Sequence, residues 1–374
     1  MAGVQSKQGC GHWEATNRTP GSSKFRPRGR TGSSGWFDVY SDLSWIVRYL
    51  LEADHTVRAT VHDPEKAKGL EHLHALAEDH PGRLSLHRAD LLEPGSYTEA
   101  LSGCELVMHT ASPFLMGRIR DAERQLIRPA LEGTRNVLNS VNATPSVKRV
   151  VLTSSMAAMY GDSVELAGKD GLTEADWNAT STAEHQPYPY SKTVAERQAW
   201  EMFARQDRWD LVTIHPGMVF GPSLTSASVS GSMTTMRRFA DMSLGAGAPA
   251  LSMAVVDVRD VARVHIAAGF TPSASGRYIS CAETLSILDV GRVLRGHFGK
   301  KRSFPTRELP KFMVKATGPT IGLTRKFVER NVGYPLYFDN TRVQTELGIG
   351  FRPAEQSIVE HYQQMLDEDK VRKA

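Results

Sequence analysis

The sequence has few cysteines and no long hydrophobic run, and each shortage excludes a class of protein. Its 374 residues include three cysteines, Cys10, Cys104 and Cys281, which are widely spaced and form no CxxC pair. This pattern argues against a disulfide framework and against a zinc site. No apolar stretch approaches the roughly 18 residues that a membrane-spanning helix needs. We therefore expect a cytoplasmic protein with no metal site and no membrane partner.

The net positive charge of the chain lies in its N-terminal segment, and the rest of the chain has almost no excess charge. The net charge is +4, but residues 1–30 contain six basic residues and one acidic residue, so the remaining 344 residues carry −1. The body of the chain shows no basic stripe with interleaved aromatic residues, so we predict no nucleic-acid partner. The hydrophobic content of 40% is enough to form a sizeable core.

The basic N-terminal segment, residues 1–35, lacks both helical and alternating apolar periodicity and is rich in Gly, Ser, Thr and Arg. This composition predicts a disordered basic tail. Two alternatives are an organelle transit peptide and a wrongly predicted gene start, although the segment shows no clear amphipathic face.

From Ser44 onwards, strand-like and helix-like patterns alternate. Such alternation predicts an α/β protein with a doubly wound parallel sheet of the Rossmann type, followed by a smaller, mostly helical C-terminal part that binds substrate. We expect the nucleotide-binding core at 36–222 and the substrate-binding part at 223–374, with 254–282 returning to the core. The Ser, Gly, Met and Ala of 223–252 are typical of a mobile substrate flap. Strands are expected at 55–61, 84–86, 105–111, 147–153, 211–215 and 276–280, and helices from Ser44 and at 65–78, 96–101, 121–143, 188–206, 286–298 and 355–366.

The residues that indicate chemistry follow the predicted strand 147–153. Ser154 and Ser155 stand at its carboxyl end, where ligands bind in such sheets. Tyr188 and Lys192 are four residues apart in a predicted helix, so the ammonium lies near the phenol and should lower its pKa toward the working pH. This pair predicts a proton donor. His215, on an apolar strand, is interpreted as a packed core histidine rather than as a catalytic base.

The ordered motifs of the chain resemble those of extended short-chain dehydrogenases/reductases, in particular the dihydroflavonol reductase, cinnamoyl-CoA reductase and aldehyde reductase group. Beside TSS at 153–155 and YPYSK at 188–192, the motifs are TVRATVHDPEKA (56–67), RADLLEPGSY (88–97), HTASPF (109–114), HPGMVFGP (215–222), VDVRDVARVHIAA (256–268) and GRYI (276–279). The resemblance implies an NAD(P)H-dependent carbonyl reductase that transfers a hydride to an aldehyde or ketone, with Ser155, Tyr188 and Lys192 as its catalytic set.

The resemblance also implies a cofactor site. NADP is the expected cofactor, with NAD as the alternative. A histidine, His62, stands where these reductases often carry an arginine for the adenosine 2′-phosphate. Tyr160 replaces a substrate-binding asparagine of the flavonoid reductases, which disfavours a dihydroflavonol substrate. The residues implied to bind the cofactor are Gly32, Gly35, Arg58, His62, Lys68, Asp90, Leu91, Ala111, Lys192, Pro216, Gly217 and Val219.

The glycine loop departs from the family pattern. Thr31–Gly35 supplies its first part, but Asp38 occupies the place of the third glycine, and residues 25–30 are not strand-like where the first strand should run. A mispredicted exon boundary and a real loss of cofactor binding both explain this. Two other functions therefore stay open: a sugar-nucleotide epimerase or hydroxysteroid dehydrogenase on the same fold, and a non-catalytic binding protein. The oligomeric state is not predicted.

Overall fold

The structure is a computed structural model, which describes residues 2–4, 44–65, 69–111, 121–225, 231–241, 243–299 and 304–368. Its strands are β1 (Ala2–Val4), β2 (Val57–Val61), β3 (Leu84–Arg88), β4 (Leu106–His109), β5 (Arg149–Thr153), β6 (Asp210–Pro216), β7 (Met218–Phe220), β8 (Ser252–Asp257), β9 (Gly276–Ser280) and β10 (Glu283–Ser286).

The α-helices follow in chain order, with a π-helical turn over Glu123–Ile127 leading directly into the fourth. They are α1 (Ser44–Glu52), α2 (Glu71–Asp79), α3 (Thr98–Leu101), α4 (Arg128–Asn142), α5 (Pro187–Phe203), α6 (Gly231–Ala240), α7 (Val258–Phe270), α8 (Ile287–Phe298), α9 (Lys311–Thr317), α10 (Arg325–Asn331), α11 (Thr341–Leu347) and α12 (Ala354–Asp367).

The main sheet has seven strands in the order β3-β2-β1-β4-β5-β6-β9. Every pairing except those of β1 is parallel. Helices cover both faces, because α1 and α7 pack on one face and α4 and α5 on the other. Apolar side chains fill both layers, for example Ile46 and Val151 on the first face and Val137 and Val150 on the second. The predicted doubly wound α/β fold is confirmed.

Strand β1 runs opposite to its neighbours. Ala2 pairs with Ala59 and Met108, and Val4 pairs with Val57 and Leu106, so the strand is antiparallel to both β2 and β4. The sequence predicted disorder here, because three residues are too few to show an alternating pattern. Pairing on both sides satisfies the backbone groups of this short segment and explains why it forms a strand. Residues 5–43, which include the predicted glycine loop, lie outside the described residues.

The segment 223–252 differs from the predicted mobile flap. It contains helix α6, whose Met233, Met236 and Phe239 repeat every three residues and are buried. They pack with side chains of α8 and α12, including Leu294 and Tyr362. This spacing forms the apolar face of a helix, and its burial against the C-terminal helices holds α6 in place.

A second, smaller sheet, in the order β10-β8-β7, extends from the end of β6. The predicted return of 254–282 to the core is divided between the two sheets: β9 joins the main sheet, whereas β8 belongs to the smaller one. No helix among the described residues is long and apolar enough to cross a membrane. Cys104 and Cys281 are buried and are not joined by a disulfide.

Candidate active site

The candidate site is built on the start of α5. Gln186 precedes this helix in the left-handed conformation, with φ at 59°. Pro187 then occupies the first turn, where its fixed φ suits a helix and its missing N–H costs no hydrogen bond. Tyr188 is thereby placed in the first turn, at half-buried depth, and Lys192 follows one turn later in a buried position.

Ser155 completes the predicted catalytic set. It follows β5, its Oγ accepts the N–H of Ala157 at 3.1 Å, and its hydroxyl is hydrogen-bonded to Tyr188. The neighbouring Ser154 is turned away and donates to the buried carboxylate of Glu196 at 2.6 Å. Ser155 and not Ser154 therefore accompanies the tyrosine, as the resemblance implied.

The pKa of Tyr188 differs from the sequence-based expectation. Burial raises it to about 12, although the hydrogen bond from Ser155 acts in the opposite direction. The phenol loses more solvation as an anion than as a neutral group, and this cost outweighs the hydrogen bond from Ser155. The Tyr188 hydroxyl is therefore fully protonated at neutral pH, which is the state that a proton donor requires.

Lys192 has the opposite shift. Burial lowers its pKa to about 8, while the negative charge of Glu196 opposes this change. Because the ammonium keeps most of its charge at pH 7, a cation stands one helical turn from the phenol, with about 5–6 Å between their Cβ atoms.

Sequence reasoning missed the buried carboxylate of Glu196, one further turn along α5. It accepts hydrogen bonds from Arg277 Nε at 2.8 Å, Thr213 Oγ1 at 3.2 Å and Trp200 Nε1 at 3.2 Å, and it lies 2.8 Å from His215 Nε2. Burial opposes its ionisation, but His215 and Arg277 hold its pKa well below the ordinary value. The spacing of four residues between Lys192 and Glu196 could have indicated that the two side chains are neighbours on the helix. Arg277 is 81 residues from Glu196, and no sequence pattern indicated their contact.

His215 itself is fully buried and held by this carboxylate. The prediction of a packed core histidine is confirmed.

A second buried carboxylate supports the strained start of α5. Asp162 accepts from Gln186 Nε2 at 2.9 Å and from Asn331 Nδ2 at 2.7 Å, and it is also bonded to Arg330. His185 Nε2 lies 2.8 Å away. Burial disfavours the anion, but these partners hold the pKa of Asp162 below its ordinary value. The cluster ties α10 of the C-terminal part to the residue two before Tyr188.

Three of the predicted cofactor residues, Leu91, Ala111 and Lys192, border one cavity at the carboxyl edge of the main sheet. Asn136 of α4 fixes the Leu91 backbone by donating to its carbonyl at 2.8 Å. The cavity is also lined by Ala130, Gly133, Thr134, Leu152, Thr153, Ser154, Ala195 and Glu196. This open space lies beside the Lys192 side chain.

Eight of the other predicted cofactor residues fall into three groups. His62 and Asp90 meet at the ends of β2 and β3, with His62 Nε2 3.3 Å from Asp90 Oδ2. Pro216 ends β6, and Gly217 follows where a Cβ would lie 2.3 Å from the Ala254 carbonyl oxygen, so only glycine fits. Val219 pairs with Val256 in the smaller sheet. Gly32, Gly35 and Lys68 lie outside the described residues.

Arg58 is not brought to this edge. It lies three residues before the end of β2, about 10 Å along the strand. Its guanidinium donates to the Ser102 carbonyl at 2.7 Å and to His87 at 3.3 Å. Alternation along a strand determines the face of the sheet on which a side chain lies. It does not determine which group the side chain meets there, and the Arg58 guanidinium meets the carbonyl of Ser102 at the end of α3. Arg58 is therefore removed from the cofactor set.

Comparison with known proteins agrees with this geometry. The sequence profile of the NAD dependent epimerase/dehydratase family matches residues 44–279. Cinnamoyl-CoA reductase CAD2 of Medicago truncatula is 36% identical over 341 residues, which cover 88% of this chain and 92% of that protein. Tetraketide alpha-pyrone reductase 1 of Arabidopsis thaliana is 34% identical over 332 residues, covering 87% and 91%.

Among solved structures, yeast methylglyoxal/isovaleraldehyde reductase Gre2 complexed with NADPH superposes with a TM-score of 0.70 at 25% identity. The match covers 90% of this chain and 98% of that one. Fold, site and relatives together define an NAD(P)-dependent oxidoreductase. More narrowly, the chain belongs to the NAD dependent epimerase/dehydratase family, and its similarity to reductases of that family confirms the resemblance inferred from the motifs.

Proposed function

We propose that the protein is an NADPH-dependent carbonyl reductase that converts an aldehyde or ketone to an alcohol, with Tyr188 as the proton donor. The observation that carries the proposal is the contact between Ser155 and Tyr188, with Lys192 one turn further along α5 beside the cavity. The named relatives, cinnamoyl-CoA reductase and a methylglyoxal/isovaleraldehyde reductase, support the same reaction class.

In this proposal each residue has one task. NADPH, when bound, supplies the hydride that adds to the carbonyl carbon. The Tyr188 hydroxyl donates its proton to the carbonyl oxygen, and Ser155 donates a hydrogen bond as negative charge develops there. The Lys192 ammonium stabilises the phenolate that Tyr188 becomes, since an opposite charge one turn away favours the charged form.

The main-sheet part, 36–222, would bind the cofactor in this scheme, and 223–374 would contribute most of the substrate pocket. His62, Asp90, Leu91, Ala111, Lys192, Pro216, Gly217 and Val219 form the proposed cofactor set among the described residues. A cytoplasmic location stays a prediction.

The test is Tyr188→Phe, which removes one oxygen and leaves the ring in place. We expect turnover of an aldehyde panel to fall by about 10²-fold or more, since general acid catalysis contributes about that much. Binding of NADPH, followed by nicotinamide fluorescence, should stay within about twofold of the parent. Tyr190→Phe, on the same helix two residues later, is the matched control and should keep full activity.

Two results would contradict the proposal. Unchanged turnover in Tyr188→Phe would remove the tyrosine from the mechanism. No saturable binding at millimolar NADPH would instead favour a non-catalytic binding protein, and tightly retained NAD with activity in the absence of added cofactor would favour the epimerase.

A further inference from the structure

We propose that Glu196 is a positioning residue of this reaction: its buried carboxylate is the counter-charge of the Lys192 ammonium and the anchor of the strand ends beside Ser155. This inference rests on the proposed function, because it concerns the lysine that serves Tyr188. Glu196 is not placed in contact with substrate, and its effect is exerted through Lys192 and through the backbone that carries the serine.

The three side chains follow one face of α5. Tyr188, Lys192 and Glu196 are spaced by four residues, and residues at this spacing lie above one another on a helix. Lys192 is 7% exposed and Glu196 is 1% exposed, and both line the cavity described above. Among the described residues that line it, Glu196 is the only acidic one. Interior charges interact more strongly than charges in water, so this pair is electrostatically coupled.

The carboxylate is fixed on several sides. Ser154 at the end of β5 donates to Oε2 at 2.6 Å, Thr213 of β6 donates to Oε1 at 3.2 Å, and Arg277 of β9 donates to Oε1 at 2.8 Å. Three neighbouring strands of the main sheet are thus bonded to one group. Because Ser154 precedes Ser155 directly, loss of this anchor would also displace the hydroxyl that faces Tyr188.

The other charged groups around the pair do not replace Glu196. Arg277 and His215 face the carboxylate itself from β9 and β6. His109 of β4 faces Lys192, and burial lowers its pKa to about 3, so it is neutral. On α4, which packs against α5, Arg128 and Glu132 pair with each other at 2.7 Å, away from the interior.

Replacement of the Glu196 carboxylate should therefore lower the pKa of Lys192. Reduction needs the ammonium, so activity is lost as pH rises through the lysine pKa, which is about 8 in the parent. In Glu196→Gln the cation loses its counter-charge, and the alkaline limb of kcat/KM should move to lower pH by about one to two units. Glu196→Asp keeps the charge and should restore most of the limb. Glu201→Gln, an exposed carboxylate on the same helix, is the control and should leave the profile unchanged.

A direct readout that does not depend on turnover is the titration of the Lys192 ammonium by NMR in lysine-labelled protein. The resonance is assigned by its absence in Lys192→Met. The same downward shift is expected in Glu196→Gln. If that variant does not fold, Glu196→Gln/Arg277→Gln removes both charges of the buried ion pair, which leaves less uncompensated charge, and the lysine shift should persist.

The outcomes separate the two proposals. An unshifted Lys192 titration and an unshifted alkaline limb in the folded variants, with Tyr188→Phe inactive, would overturn the role of Glu196 alone. Full activity of Tyr188→Phe would overturn the proposed function, whatever the lysine titration shows. A loss of activity in Glu196→Gln that Glu196→Asp fails to rescue, with no pH shift, would reduce Glu196 to a structural residue.

Discussion

Arg277 donates a 2.8 Å hydrogen bond from Nε to the Glu196 carboxylate, which joins β9 to α5 beside the proposed catalytic residues. The same guanidinium donates to the carbonyls of Glu174 and Asp176 and stacks over the Trp177 ring at 4.0 Å. Each of its three nitrogens thus donates a hydrogen bond inside the protein. The site is therefore held by a buried charged network as well as by apolar packing.

Arg277→Met should strongly destabilise the fold, because it leaves the buried Glu196 carboxylate without its arginine partner. We expect a loss of about 3 to 5 kcal/mol in the free energy of unfolding, measured by urea titration. Arg292→Met removes an arginine from the exposed pair with Asp289 and should cost less than about 1 kcal/mol. Equal losses in the two variants would contradict the importance of the buried network.

Lys192→Met should make the protein more stable at pH 7 while it removes activity. The folded-state pKa of about 8 lies below the ordinary 10.5, so the charged lysine opposes folding at neutral pH. This penalty is full below pH 8 and disappears as pH rises through 10.5, and it amounts to at most about 3 kcal/mol.

Urea titrations of Lys192→Met and the parent at pH 7 and pH 10.5 measure this effect. The stability difference should shrink at the higher pH, and the exposed Lys148→Met should show no such pH dependence. A Lys192→Met protein that is less stable than the parent at pH 7 would argue that the lysine is not strained by burial.

Gly217→Ala should disturb the end of β6. A Cβ at this position would lie 2.3 Å from a backbone oxygen of β8, which cannot move without shifting the smaller sheet. Overpacking of this kind costs about 1 to 3 kcal/mol, and we expect weaker NADPH binding as well, measured by fluorescence. Gly296→Ala in α8, where nothing lies within 4 Å, is the control and should be neutral or stabilising. Equal behaviour of the two variants would refute the close approach.

Met236→Ala tests whether α6 belongs to a core or to a mobile flap. Met236 is fully buried, so its truncation should lower the free energy of unfolding by about 2 to 5 kcal/mol in thermal or urea denaturation. Met313→Ala, at a side chain that is 41% exposed, should change it by less than about 0.5 kcal/mol. A small effect at Met236 would support the flap predicted from composition.

Local patterns were sufficient for most of the fold. The stripe of Trp45, Ile46 and Leu50 predicted α1, and the apolar run before Ser154 predicted β5, because periodicity along the chain reflects which side chains face the core. Helix α6 was missed because small residues flank its apolar face. Strand β1 was missed because its pairing partners lie more than 50 residues away.

The sequence by itself predicted the proposed catalytic set, since Tyr188 and Lys192 are one helical turn apart and Ser155 lies at the end of a strand. It also determined the family, through motifs in a fixed order. Only the tertiary structure decided that Ser154 and Ser155 face different partners, that Arg58 is directed away from the site, and that Glu196 forms a buried ion pair with Arg277. Those relationships join residues that are far apart in sequence, and they depend on which elements the packing of the sheet brings together.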